Sequence, residues 1–261
     1  MKPWLLDVAV VAYFGSAALY LANLHVKHDR FARYAGVLAV AGFAAQSARL
    51  IGMIALRESP FATAYEAIVL VAWANVLLDL IVLVRYRLHA VGALAMPLSL
   101  LCLFVAASVA RRDFEATALL SPWLKIHIAA IILSMAAFAL AFCCAVFYLT
   151  QNKLLKSKNL QGMFRRLPPL ELADHLGRQL VALGFPLLTL GILTGLVGVR
   201  LGLLHSVMSP LKTAAALLTW AVYGSYLVAC RSVQWHGRRI QYILILGALA
   251  VAVTAALHRF T

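Results

Sequence analysis

Apolar residues gather in stretches of about twenty, broken by short polar segments rich in Lys and Arg. The runs lie near 4–24, 34–56, 63–84, 90–110, 124–150, 180–202, 211–230 and 240–258. A helix that crosses a bilayer needs about 20 predominantly apolar residues, because the hydrocarbon core is ~30 Å thick and each residue rises about 1.5 Å. Each run therefore predicts a transmembrane helix. The second, third and fifth carry polar residues, so length and flanking charge support them as well as hydropathy. The pattern predicts an all-α fold: a polytopic membrane helix bundle of about eight transmembrane helices, forming a single transmembrane domain over 1–261. The longest connection, 151–179, is expected to be a loop. Pro168 and Pro169 break any helix there, and Leu170–Leu176 is expected to form a short helix lying on the surface. No internal repeat is visible in the chain.

Charge orients these spans, since loops rich in Lys and Arg are retained in the cytoplasm. The loops after the first, third, fifth and seventh spans hold fourteen of the 23 Lys and Arg residues, six of them in the long connection. The opposite side holds eight: Lys2, Arg57, Arg111, Arg112, Lys125, Arg200, Lys212 and Arg259. The last, Arg49, lies inside a span. The N and C termini are therefore expected outside, and the 151–179 connection in the cytoplasm.

Composition agrees with a lipid environment. Hydrophobic residues make up 64% of the chain and charged residues 12%, where a soluble domain has roughly one-half and one-quarter. The net charge of +14 follows from topology and from attraction to anionic lipid at the inner surface, so membrane lipid is the expected partner and no nucleic acid is needed. The first span contains Asp7 and no small-residue cleavage site, so it reads as a retained helix rather than a signal peptide. Cys102, Cys143, Cys144 and Cys230 fall within spans and form no CxxC, which points to neither a disulfide framework nor a redox centre.

Charged side chains at membrane depth cost at least ~2.5 kcal/mol each on insertion scales, and so are functional candidates. Arg49, late in the second span, and Glu66, early in the third, lie toward the outer leaflet on consecutive antiparallel helices. They either neutralise each other as a buried pair, or Arg49 meets an anionic ligand group while Glu66 orients it. Asp7 and Asp79 lie toward opposite faces and read as interfacial or helix-paired.

Topology also sorts the histidines. His25, His28, His89, His175 and His236 fall on the cytoplasmic side among basic residues, whereas His127, His205 and His258 fall outside. A lone His at a helix end is ordinarily interfacial. Three on one face, with Trp4 and Trp123, offer axial ligands to a planar metal cofactor such as haem. HExxH, GxSxG, Walker A, GxGxxG and EF-hand patterns do not occur in the sequence, so no motif suggests an enzyme. Glycines 184, 191, 195 and 198 line the sixth span, and Gly191 to Gly195 fits the small-xxx-small spacing for close helix packing; Pro97 and Pro186 are expected to kink their helices.

Four blocks resemble the cytochrome c assembly family of CcsA-like and HemX-like membrane proteins, in the family's order. They are Arg49 to Ala74 with Pro60, Ala64-Tyr65-Glu66-Ala67 and Trp73; Lys125-Ile126-His127-Ile128 with Leu133-Ser134; Gly184-Phe185-Pro186-Leu187-Leu188-Thr189 through Gly195; and Leu218-Thr219-Trp220 through Leu227 with Trp235-His236-Gly237-Arg238-Arg239. The third is the strongest match. The resemblance implies a non-enzymatic assembly factor in a bacterial cytoplasmic (inner) membrane, handling haem at the outer face in cytochrome c maturation or haem-protein homeostasis beside other cytochrome c assembly proteins. It places His127 at one outer axial position and leaves His258 as the candidate for the second.

Two features depart from the family. The segment 200–213, where a Trp-rich haem-handling loop is expected, contains no Trp, and Val228 stands where a membrane-embedded axial His is expected. These departures keep open a haem-less relative acting as membrane scaffold or regulator. A small-solute transporter, with Gln46, Arg49 and Glu66 lining a cavity, is a third reading.

Overall fold

The computed structural model describes residues 4–26, 29–109, 122–157, 169–201, 210–232 and 237–260, and among them contains helices and no strand. In chain order the helices are α1 Trp4–His25, α2 Asp29–Ala55, α3 Ala64–Tyr86, α4 His89–Ala107, α5 Pro122–Lys156, α6 Leu170–Arg200, α7 Pro210–Arg231 and α8 Arg238–Phe260. Among the described residues seven helices, α1 to α7, are long and apolar enough to cross a membrane; in α8 the side chains are described only as far as Val253. The chain is a multi-pass membrane protein, as the eight apolar runs predict.

Exposure is inverted relative to a soluble fold. Val11, Phe14, Val84 and Phe104 are 71%, 66%, 81% and 64% exposed, while Ser16, Gln46, Arg49, Asn75 and Asp79 are buried. In lipid an apolar exterior costs nothing, and polar side chains turn inward to find partners.

Two compact units emerge. One holds α1 to α4 with the last residues of α5; the other holds the rest of α5 with α6 to α8. In the first, α1 packs on α2 and α4, and α3 on α4 and α2. In the second, α7 packs on α6 and α8.

The ends of several helices differ from the hydropathy pattern. At 35 residues α5 is about 52 Å long, well beyond a bilayer core, and its overhang carries Lys153 and Lys156. The helix thus continues past residue 150 into the connection expected over 151–179. At its other end, α6 begins at Leu170 and runs unbroken for 31 residues. The separate surface helix expected over Leu170–Leu176 is therefore the first two turns of α6, where Ala173, Asp174, Leu176 and Gly177 are buried. Buried Gln241 of α8 donates to Asp174 at 2.6 Å and Arg178 pairs with it at 3.1 Å, so this polar start is packed rather than solvated. Pro168 and part of that connection lie outside the described residues.

Caps mark the α2–α3 turn. At the end of α2, Glu58 N donates to Met53 O at 2.9 Å and Arg57 N to Ile54 O at 3.0 Å, the paired bonds of a Schellman close, with Arg57 at φ 59° in the position that glycine usually takes. Thr63 then caps α3, its Oγ1 accepting from Glu66 N at 3.1 Å. Thr-x-x-Glu is a capping-box spelling, yet the Glu66 carboxylate turns to Arg49.

Candidate functional site

The second unit is organised by a glycine seam. On α6, Gly177, Gly184 and Gly191 recur every seventh residue, which keeps them on one face. A Cβ on Gly191 would stand 2.8 Å from Ile131 Cγ1, and one on Gly184 2.7 Å from Phe138 Cε1. Seven residues along α5 thus match seven back along α6, the register of an antiparallel pair in close contact. Phe138 is pinned from behind by Tyr223 of α7, with ring centroids 3.6 Å apart and planes within 6°. Tyr223 in turn rests on Gly247 of α8, where a Cβ would be 2.7 Å from its ring.

The same register brings the start of α5 onto the last turns of α6. His127 Nδ1 lies 2.7 Å from Gly191 O, and Trp123 Nε1 donates to Thr194 O at 3.0 Å. A carbonyl oxygen only accepts, so Nδ1 carries the proton and Nε2 keeps its lone pair in the neutral ring. Thr194 Oγ1 lies 3.4 Å from the same Nδ1 and donates to Leu190 O at 2.7 Å. Trp123 and His127 stand four residues apart on one face of α5, and Trp123 is 37% exposed. The result is an imidazole fixed in tautomer and orientation by a neighbouring helix backbone, with one nitrogen available to a Lewis acid.

In the first unit, α2 and α3 are joined by a ladder of polar pairs. Arg49 Nη2 meets Glu66 Oε1 at 2.6 Å, with the two side chains 9% and 14% exposed. One turn deeper Gln46 Nε2 donates to Val69 O at 2.9 Å and its Oε1 accepts from Tyr13 OH of α1 at 2.8 Å. Beyond that, Trp73 Nε1 donates to Ser47 Oγ at 2.9 Å and its ring stacks on Phe43. Gly42 leaves room for Tyr13, whose ring a Cβ would meet at 2.6 Å. Gln46 and Arg49 are thus committed to neighbours. A cavity of about 300 Å³ in this unit is lined by Leu6, Asp7, Val10, Tyr65, Leu103, Phe104 and Ala107, and includes none of Gln46, Arg49 and Glu66.

Of the residues expected to form a site, the structure places His127 in the second unit and pairs Arg49 with Glu66 in the first. His205 and the side chain of His258 lie outside the described residues. His175 is exposed on α6. Asp79 departs from expectation: it is buried, and among the described residues neither carboxylate oxygen has a hydrogen-bond partner. Among the described residues no group of three or more His, Cys, Asp or Glu converges on a common point. Sequence reasoning missed Gly191 and Thr194 as partners of His127. The available signal was the Gly-rich block itself, whose backbone carbonyls a neighbouring helix can reach.

Residues 61–260 match the family model described as Cytochrome C assembly protein. The chain belongs to that family. Among its relatives, the cytochrome c biogenesis protein CcsA of Guillardia theta is 27% identical over 212 residues, covering 74% of this chain and 70% of the relative. The protein HemX of Brevibacillus brevis is 25% identical over 253 residues, 93% of each chain. The CcsA of Chlamydomonas reinhardtii is 29% identical over 202 residues, 74% of this chain and 56% of the relative. Set on the fold, the family's Gly-Phe-Pro block is the α6 seam and its His127 block is the start of α5. Val228, at the position where the family resemblance implies a membrane-embedded axial His, is 59% exposed on α7.

Proposed function

We propose that this member of the cytochrome c assembly family is a non-enzymatic membrane factor that binds or passes haem at the outer face of a bacterial cytoplasmic membrane during cytochrome c maturation or haem-protein homeostasis. One observation carries the reading: His127 Nδ1 donates to Gly191 O at 2.7 Å, leaving Nε2 as the free donor atom. Iron-ligating histidines are held in this way, with the second ring nitrogen bonded to a carbonyl or carboxylate that sets the tautomer. His127 would hold the iron, and Trp123 would offer an exposed ring one turn away. His258 is the proposed second ligand. Bound haem would supply the iron that the donor atoms hold. In the first unit, Arg49 held by Glu66 is the proposed contact for an anionic ligand group. The partners proposed are membrane lipid, haem and other cytochrome c assembly proteins.

The test is the absorption spectrum of the full chain purified from haem-replete cells. A Soret band is expected, lost in His127→Ala, restored to His127→Gly by added imidazole, and shifted in His258→Ala. No Soret band, or one indifferent to both histidines, refutes the ligand assignment.

A second reading, a haem-less scaffold, draws on Val228: an apolar side chain turned outward at that position leaves no ligand there. Normal c-type cytochromes in a deletion strain, with a non-cytochrome membrane protein co-purifying reproducibly, would favour it.

A further inference from the structure

The interior of the first unit holds a group of acceptors without donors. Asp79 and Asn75 lie four residues apart on α3, each 1% exposed, so they share one buried face of that helix. Asn75 Nδ2 is used, donating to Ser99 Oγ at 2.7 Å and to Ala95 O at 3.1 Å on α4. Among the described residues its Oδ1 has no partner, and neither has Asp79 Oδ1 or Oδ2. Three oxygens able to accept are therefore buried on successive turns without a partner, and neither ion pair among the described residues reaches Asp79.

The surroundings are built rather than incidental. Tyr20 of α1, 2% exposed, packs against α2 and α4. A Cβ on Gly92 of α4 would meet its ring at 2.5 Å, and one on Gly36 of α2 would lie 3.6 Å from its hydroxyl and 3.5 Å from Leu83 Cδ2, one turn beyond Asp79. The phenol and the Asp79 carboxyl are near enough to interact electrostatically. Gly92 thus admits the tyrosine ring, while Gly36 meets its hydroxyl at ordinary contact distance. Asp79 also stands seven residues, about 10 Å, from the end of α3, where Arg85 and Arg87 mark the edge of the span.

An ionised carboxylate with no donor and no cation beside it is among the costliest groups a membrane interior can hold. What these three buried acceptors lack among the described residues is a positive partner. We propose that Asp79 and Asn75 form a binding site for a small monovalent cation, proton or sodium, inside the four-helix unit. The carboxyl supplies the charge and the Asn75 amide oxygen a second ligand, with Tyr20 of α1 near the carboxyl and Ser99 holding the amide from α4. The site is independent of His127 and of any haem.

Dicyclohexylcarbodiimide, an apolar reagent that modifies protonated carboxyls in membranes, distinguishes the two cations on the full chain in detergent, with peptide mass spectrometry locating the adduct. Labelling of Asp79 is expected, absent in Asp79→Asn, and falling as pH rises. If sodium is the ligand, labelling at fixed pH falls severalfold with added NaCl and not with choline chloride; if the proton is, the two salts act alike. Asn75→Leu, checked by its thermal unfolding to be folded, is expected to shift the pH or sodium midpoint by about tenfold in concentration. Asp79 unlabelled across the pH range without sodium, or labelled equally at all pH and sodium concentrations, overturns the proposal.

Discussion

Gly191 and Gly177 share one face of α6 and differ in what stands opposite, which makes them a matched pair for testing the seam. A Cβ on Gly191 would approach Ile131 Cγ1 to 2.8 Å, while one on Gly177 would find Leu244 Cδ1 at 3.5 Å and Cys144 Cβ at 3.7 Å. Carbon atoms pack best at ~3.5–4.0 Å, so Gly191→Ala requires α5 and α6 to separate locally by about 0.7 Å or Ile131 to leave its place. Overpacking of this kind costs about 1–3 kcal/mol, and an alanine in mid-helix returns at most about 1 kcal/mol of propensity. The net is a loss of about 1–2 kcal/mol at Gly191 and a neutral or slightly positive change at Gly177. Separation would also stretch the bond from His127 Nδ1 to Gly191 O, a further ~1 kcal/mol. Thermal unfolding of the purified chain in one detergent measures both variants. Ile131→Ala, which removes the opposing atoms, is expected to recover most of the Gly191→Ala loss in a double-mutant cycle. Equal effects at the two glycines, or no coupling to Ile131, would refute a seam that sets the position of His127.

Two other outcomes follow from the first unit. Glu66→Ala leaves Arg49 buried without its partner and is expected to cost about 3 kcal/mol, whereas Arg49→Met with Glu66→Gln should cost much less; chemical or thermal unfolding of the three chains separates the cases. Thr63→Ala removes the acceptor for Glu66 N and is expected to lower stability by about 1 kcal/mol, with Thr63→Ser close to the parent in the same assay.

Much of the fold is legible because lipid imposes a length. Every run near twenty apolar residues became a helix, and Arg49 and Glu66, placed by span and sidedness alone, do meet. Helix ends were less legible, for a physical reason. Hydropathy marks where lipid stops, not where backbone hydrogen bonding stops, so α5 continues through Lys153 and Lys156 into the polar overhang. The Leu170–Leu176 stretch misled in the same way. Its amphipathic pattern fits a surface helix, but Asp174 has a buried partner in Gln241, which sits 67 residues away and which no local pattern could supply.

The candidate site shows the same division between what a residue type declares and what only packing decides. His127 drew attention from its place at a helix start on the side expected to be outside, yet the sequence is silent on which ring nitrogen stays free. That depends on Gly191 lying opposite, and Gly191 can offer its carbonyl only because it and Ile131 meet without a side chain between them. Asp79 is the converse. A carboxylate in an apolar run was read as interfacial or helix-paired, because a membrane charge normally finds a partner. Beside it stand Asn75, whose donors are spent on α4, and, from α1, a tyrosine admitted by Gly92. A fold that gives up a side chain at Gly92 to seat Tyr20 near a carboxyl, and among the described residues offers no donor to it, leaves the charge to be balanced by something that comes and goes.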